Sequence, residues 1–264
     1  MRRTILITLF ALSTVCIMSG CKAKHEKLDL TTIHTTAATE SHKETLAPET
    51  SKAEEETTAG SSDNTANVTA QIFTETAGGH SIQYPTVSNM ADQKKQETVN
   101  QLLHDNAVAI TKTLAEDASV SISCKVTSVD RKRLTAVYTG TYTTPDGAYP
   151  TNVFYTNTVD LEEGKDLGFN DYADAYTMAG YVMSEDCQFI ADSKELEDAL
   201  LAYRKDQSLE YFTELFNSAD FPLDNASIFP ESFSYTDKGV LYFSIPVPHA
   251  LGDYALVEFN MDGK

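Results

Sequence analysis

Residues 119–161, SVSISCKVTSVDRKRLTAVYTGTYTTPDGAYPTNVFYTNTVDL, decide the fold class. Val120, Ile122, Cys124 and Val126 alternate with Ser119, Ser121, Ser123, Lys125 and Thr127, a period of two that puts apolar side chains on one face of a strand. Two more extended runs follow, near 133–144 and 151–161. Val153, Tyr155, Val159 and Leu161 share one face of the last. Pro145-Asp146-Gly147 supplies the turn between them, since proline presets φ and glycine tolerates the tight bend. Consecutive strands joined by short turns make an antiparallel sheet.

Working outward, the period changes on both sides. Before this sheet, Val68–Thr76 and Ser81–Tyr84 read as short strands around Gly78-Gly79, and Pro85 is expected to end the second. From about 88 to 118, Val99, Leu102, Leu103, Ile110 and Leu114 fall on one helical face. After the sheet, a helical region is expected from about 170 to 220. Asp192 followed by Glu195 suggests an N-cap with its capping box. Leu241, Phe243, Ile245 and Val247 then alternate as a strand, Pro246, Pro248 and Gly252 break it, and Ala255, Val257 and Phe259 form a last one. The predicted class is α+β, antiparallel sheet or sheets covered by helices.

The N-terminus carries a different message. Arg2 and Arg3 precede an apolar run from Ile5 to Met18, and Met18-Ser19-Gly20-Cys21 closes it. This resembles a bacterial lipoprotein signal, residues 1–20, with cleavage before Cys21 and palmitate-type acylation of its sulfur. The run is short for a membrane span, which needs about 20 apolar residues. Several acyl chains hold a protein stably where one does not. The expected location is therefore the extracytoplasmic face of the cell membrane, lipid-anchored. Residues 21–66 are rich in Thr, Glu and Ala and too poor in large apolar residues to offset their ordering entropy. They read as a disordered linker spanning about 35–40 Å. His25, His34 and His42 within it are not expected to hold a metal.

The chain has 264 residues and a formal net charge of −19. Residues 67–264 hold 30 acids against 13 bases. Such a balance argues against nucleic acid, which needs a basic face. It suits a basic protein partner steered by the field, or a plain solubility charge. Cys124 and Cys187 leave two alternatives in an exported protein: a disulfide, or free thiols sitting as small hydrophobes on an apolar face. No zinc spacing, calcium loop, phosphate-cradling loop or nucleophile elbow occurs, so no metal and no cofactor is expected. Glu162-Glu163 read as a solvated turn beside Gly164 rather than a glycosidase pair. The domain histidines, His80, His104 and His249, lack a catalytic setting, and no enzyme activity is expected; an unrecognised cell-wall hydrolase is the remaining alternative, since triads assemble from distant positions. In the hairpin, Gly147 and Ala148 permit close backbone approach, and Tyr149 offers a flat ring with a hydroxyl. Asp146 and Asn152 add polar contacts, so Asp146, Gly147, Tyr149 and Asn152 form the candidate binding site.

Two stretches, GAYPTNVFYTNTVDLEEGKDLGFNDY (147–172) and KGVLYFSIPVPHALGDYALVEF (238–259), resemble the DUF3298 family. In that family a Gly-Ala-His-Pro-like turn leads into an aromatic strand and an acidic Gly-Lys hairpin. IQYPTV (82–87) and the helix after it resemble the partner domain DUF4163. The resemblance implies a DUF4163-like part at 67–165 and a DUF3298-like part at 166–264. It implies a binding role, as in the lysozyme-binding extracellular part of RsiV-type anti-sigma factors or the non-catalytic region of PdaC-type deacetylases. The partner would then be a lysozyme-like basic protein or peptidoglycan. Tyr149 departs from the pattern, standing where the family often has histidine.

Overall fold

The structure, a computed structural model, describes residues 67–222 and 229–263. The expected signal at 1–20, Cys21 and the linker at 21–66 lie outside the described residues. Strands β1 (Thr69–Ala77), β2 (His80–Ser88), β3 (Ser119–Val129), β4 (Arg133–Thr143), β5 (Thr151–Asp160) and β6 (Lys165–Leu167) form one sheet in that order. Neighbours run antiparallel except at β2–β3, where a parallel ladder is confined to Ser81–Ser121 and Ile82–Ile122. Beyond it β2 diverges from β3, and side chains replace the missing ladder. Gln83 accepts the Cys124 N–H at 3.0 Å. The Asn100 amide bonds both the N–H and the C=O of Val87.

This divergence corrects the expectation at Pro85. The strand continues to Ser88, with Pro85 opposite Ile72. A proline costs a strand one ladder donor. Here β3 has already moved away, so no donor is needed on that side. Gly140 marks the opposite situation: a Cβ there would lie 1.9 Å from the Ser121 carbonyl oxygen. Only glycine lets β3 and β4 approach so closely.

Helix α1 (Gln93–Val108) covers one face of this sheet. It starts later than the periodicity suggested, because Asp92 caps it by accepting the N–H groups of Lys94 and Lys95. A 3-10 turn over Ala109–Thr113 finishes the segment. Val99, Leu103 and Ala107 are buried against the sheet.

The second sheet has the order β7-β10-β9-β8, all antiparallel: β7 (Gln188–Ile190), β8 (Ser234–Asp237), β9 (Val240–Pro246) and β10 (Tyr254–Asn260). The region expected to be helical throughout 170–220 holds β7 among three helices, α2 (Ala175–Met183), α3 (Lys194–Lys205) and α4 (Leu209–Asn217). Asp174, Ser193 and Ser208 cap them. The cap of α3 is thus Ser193, whose Oγ accepts the Leu196 N–H, and not Asp192. Leu241, Phe243, Ile245, Ala255 and Val257 turn toward these helices in a core built around Phe169, Phe212 and Phe216.

Strand β5 joins the two layers. Alternation predicted one buried face, yet every residue from Val153 to Val159 is buried. On one side the Tyr155 hydroxyl donates to the Ala107 carbonyl of α1 at 2.7 Å. On the other, Phe154 stacks on Tyr254 and the Thr156 hydroxyl donates to the Ser234 carbonyl. Phe221 and Phe233, from beyond the expected boundary at 165, are buried in the core of the first sheet. That boundary itself falls inside β6.

The Cys124–Cys187 disulfide does not form: both thiols are free. Cys124 packs against the first core and Cys187 lies in the second. Burial pushes the Cys124 thiol up to about 12 and the Cys187 thiol up to about 11. Both are inert small hydrophobes, the second of the two sequence alternatives.

Candidate functional site

The β4–β5 turn and the β9–β10 connection meet at the same end of the molecule. In the first, the Gly147 N–H donates to the Thr144 carbonyl at 2.9 Å. A Cβ on Gly147 would sit 2.8 Å from Thr144 Oγ1. This glycine therefore closes its own turn, and the close approach it permits is to Thr144. The turn projects Tyr149, which is 73 % exposed. Asp146 is exposed as well, with no hydrogen-bonding or ionic partner among the described residues.

The second loop is built by Pro248, which starts a 3-10 turn over His249–Leu251, and by Gly252 at φ 104°. Asp253 follows at φ 72°, a left-handed conformation that aspartate tolerates better than most residues. The consequence is convergence. Asp253 Oδ2 accepts the Asn152 N–H at 2.8 Å, and Asn152 Nδ2 donates to the Gly252 carbonyl at 3.4 Å. Asp253 Oδ1 lies 2.8 Å from His249 Nδ1. The His249 ring in turn stacks on Tyr149, with centroids 6.1 Å apart and planes inclined by 26°. The Asp253 side chain is only 12 % exposed, while His249 is 52 % exposed. A sheltered carboxylate thus orients an open imidazole, and that imidazole backs an exposed phenol ring.

Of the sequence-predicted residues, Tyr149 and Asn152 are drawn into this cluster. Gly147 shapes it, and Asp146 stands free at its rim. His249 and Asp253 were missed as partners. Their signal was present in residues 248–253, PHALGD, a histidine and an aspartate four apart across a glycine turn. Chemically the cluster offers an aromatic face, an imidazole and carboxylates. No hydroxyl or thiol is hydrogen-bonded to His249 among the described residues, so the pair lacks a nucleophile partner of the triad kind.

Elsewhere the titratable side chains are held by local partners. Glu162 and Glu163 donate their N–H groups to Asp160 Oδ1, and Glu163 pairs with Lys165 at 2.5 Å. That is a solvated turn. His104 donates to Glu75 at 2.7 Å and meets the edge of Tyr84; the Glu75 hydrogen bond holds its pKa above the ordinary value. Asp166 accepts from Asn106 and Asn157, and burial raises its pKa. Asp220 is buried where the two sheets meet. It accepts the Ser234 N–H at 2.6 Å and the Ser234 hydroxyl at 2.5 Å, and burial pushes its pKa up to about 7. A cavity of about 570 Å³ opens beside it, lined among others by Asp171, Tyr211, Glu214, Phe229 and Glu231. Among the described residues no group of three side chains is arranged to hold a metal ion. No helix among them is long and apolar enough to cross a membrane.

Charge is unevenly divided. Residues 166–264 hold 19 acids against 5 bases, and residues 67–165 hold 11 against 8.

No family model matches the chain, and no curated protein matches it. Among solved structures, a DUF3298-family protein from Bacteroides fragilis is similar at 15% identity, with 74% of this chain and 90% of that chain covered and a TM-score of 0.37. A DUF3298-family protein from Pseudomonas aeruginosa is similar at 10% identity, with the same coverage of 74% and 90% and a TM-score of 0.40. Both of these similar structures are DUF3298-family proteins. The fold of this chain itself is α+β, two antiparallel-dominated sheets with their helices.

Proposed function

We propose that this chain is a non-catalytic binding domain of the DUF4163/DUF3298 kind, held at the extracytoplasmic face of a membrane by a lipid on Cys21. It binds a basic protein of the lysozyme type through the Tyr149–His249 junction. The observation that carries the reading is the exposed Tyr149 ring stacked on His249, whose imidazole Asp253 orients. A large ring with only two side-chain torsions loses little entropy on contact and makes a good anchor. The excess of carboxylates over bases speeds the approach of a cationic partner and makes it salt-dependent.

Interferometry of the full chain against lysozyme across a salt series tests this. The expected result is binding that weakens with salt and that Tyr149→Ala reduces at least tenfold, the loss typical of an interface anchor. An absence of binding at low salt removes the proposal. The exposed ring also suits stacking on a sugar. Retention on purified peptidoglycan with no affinity for lysozyme would move the assignment to a cell-wall glycan. Mass spectrometry of the native product checks the anchor, which requires an acylated Cys21 at the new N-terminus.

A further inference from the structure

Four strands bound the two sheets, and three of them are short: β6 and β7 have three residues each and β8 has four. The fourth, β1, has nine. It pairs with β2 on one side, and among the described residues no strand lies along the other. An edge of that length is a row of unpaired main-chain donors and acceptors, and soluble proteins blunt such rows with lysine, proline or bulges. The sequence of β1, TAQIFTETA, has neither lysine nor proline, and its pairing with β2 runs without a bulge. Ile72 and Phe73 at its centre are 41 % and 47 % exposed. Its one charge, Glu75, is already engaged by His104.

We infer that the outer edge of β1 pairs antiparallel with β1 of a second copy of this chain, about a twofold axis at Phe73. Three observations favour a second copy. Phe73 is the central residue of the strand, so a twofold there uses its whole length of about 30 Å. In that register Phe73 faces Phe73, Ile72 faces Thr74 and Ala70 faces Thr76. Gln71 faces Glu75, so the single carboxylate meets an amide rather than its own copy, and no like charges are opposed. Finally, the strand belongs to the near-neutral half of the domain, which leaves the strongly acidic residues 166–264 out of the pairing strand. The contact is a narrow strip, which places the dimer among weak, concentration-dependent assemblies. It is separate from the Tyr149 junction and does not depend on the partner proposed there.

Sedimentation velocity of the full chain, from low micromolar to near-millimolar concentration, reads the association. Phe73→Lys and Phe73→Glu each place like charges opposite one another at the axis. Each is expected to weaken self-association about tenfold. An equimolar mixture of the two variants places opposite charges there and is expected to associate at least as well as the unmodified chain. Recovery in the mixture also shows that both variants are folded. A chain that stays monomeric throughout overturns the inference. If the β1 amides that point away from β2 are then protected from hydrogen exchange, the edge is covered by another segment of the same chain. Association that neither variant weakens, or that the mixture fails to restore, overturns it equally.

Discussion

Replacing Asp220 by Asn should remove a large part of the loss of stability that this domain suffers as pH rises through the weakly acidic range. Asp220 is fully enclosed. Its carboxylate accepts two bonds from Ser234, a longer one from the Thr156 hydroxyl at 3.4 Å, and the Phe169 N–H. Among the described residues none forms an ion pair with it; its ionisable neighbour is Tyr172, over whose ring Arg133 lies. Burial outweighs the donors and lifts the pKa from 3.8 to about 7. A carboxyl whose folded pKa is raised favours folding in its protonated form. Its contribution is complete below pH 3.8 and is lost as pH rises through about 7. At about 1.36 kcal/mol per unit the full swing is roughly 4 kcal/mol, an order of magnitude rather than a fitted value. Asparagine keeps the shape, and its oxygen can still accept the Ser234 N–H, but it cannot ionise. Urea unfolding of both proteins from about pH 4 to pH 8, followed by circular dichroism, gives the difference in stability; Asp166 and His104 titrate in both and cancel. The variant should gain on the parent by a few kcal/mol as pH rises. A difference that stays flat, or a variant that loses ground with rising pH, would show that the donors hold the carboxylate ionised and that the argument from burial is wrong.

Gly140→Ala should destabilise by about 3 kcal/mol or more, since the added carbon must displace the Ser121 carbonyl; thermal melting checks it. Tyr155→Phe removes a buried hydroxyl bonded to the Ala107 carbonyl and should cost about 1 kcal/mol in denaturant titration, with the fold intact. His104 has a raised pKa, so the stability it contributes is present below pH 6.5 and fades as pH climbs through its folded value. Glu75→Gln should lower that pKa in an NMR titration and cost well under 1 kcal/mol, because the pair is partly open to water.

The strands were legible wherever one face met water, as in β3 and β9, because a half-buried strand writes its burial as alternation. They were illegible where context replaced that pattern. β5 is covered on both faces, so alternation understated it. β7 and β8, of three and four residues, are too short to show a period. Pro85 looked like a terminator because nothing in the sequence says that β3 has veered away. The α3 cap fell one residue off, since Asp192 and Ser193 are both good caps and only geometry chooses. At the candidate site, Tyr149 and Asn152 could be named from a turn and an aromatic strand. His249 and Asp253 lie about a hundred residues away, and their meeting is a fact of topology.

The first sheet has its lid supplied by the last part of the chain. Phe221 and Phe233 fill its core, and Tyr235, Tyr254 and Leu256 close over it. Shortening from the C-terminus should therefore be far more damaging than trimming ahead of β1, since a product stopped before residue 254 would leave the aromatic floor of the earlier strands wet. The first sheet is dry only once the residues of β10 have been made, and a quality-control protease that samples exposed aromatic surface would distinguish copies that carry this strand from copies that lack it.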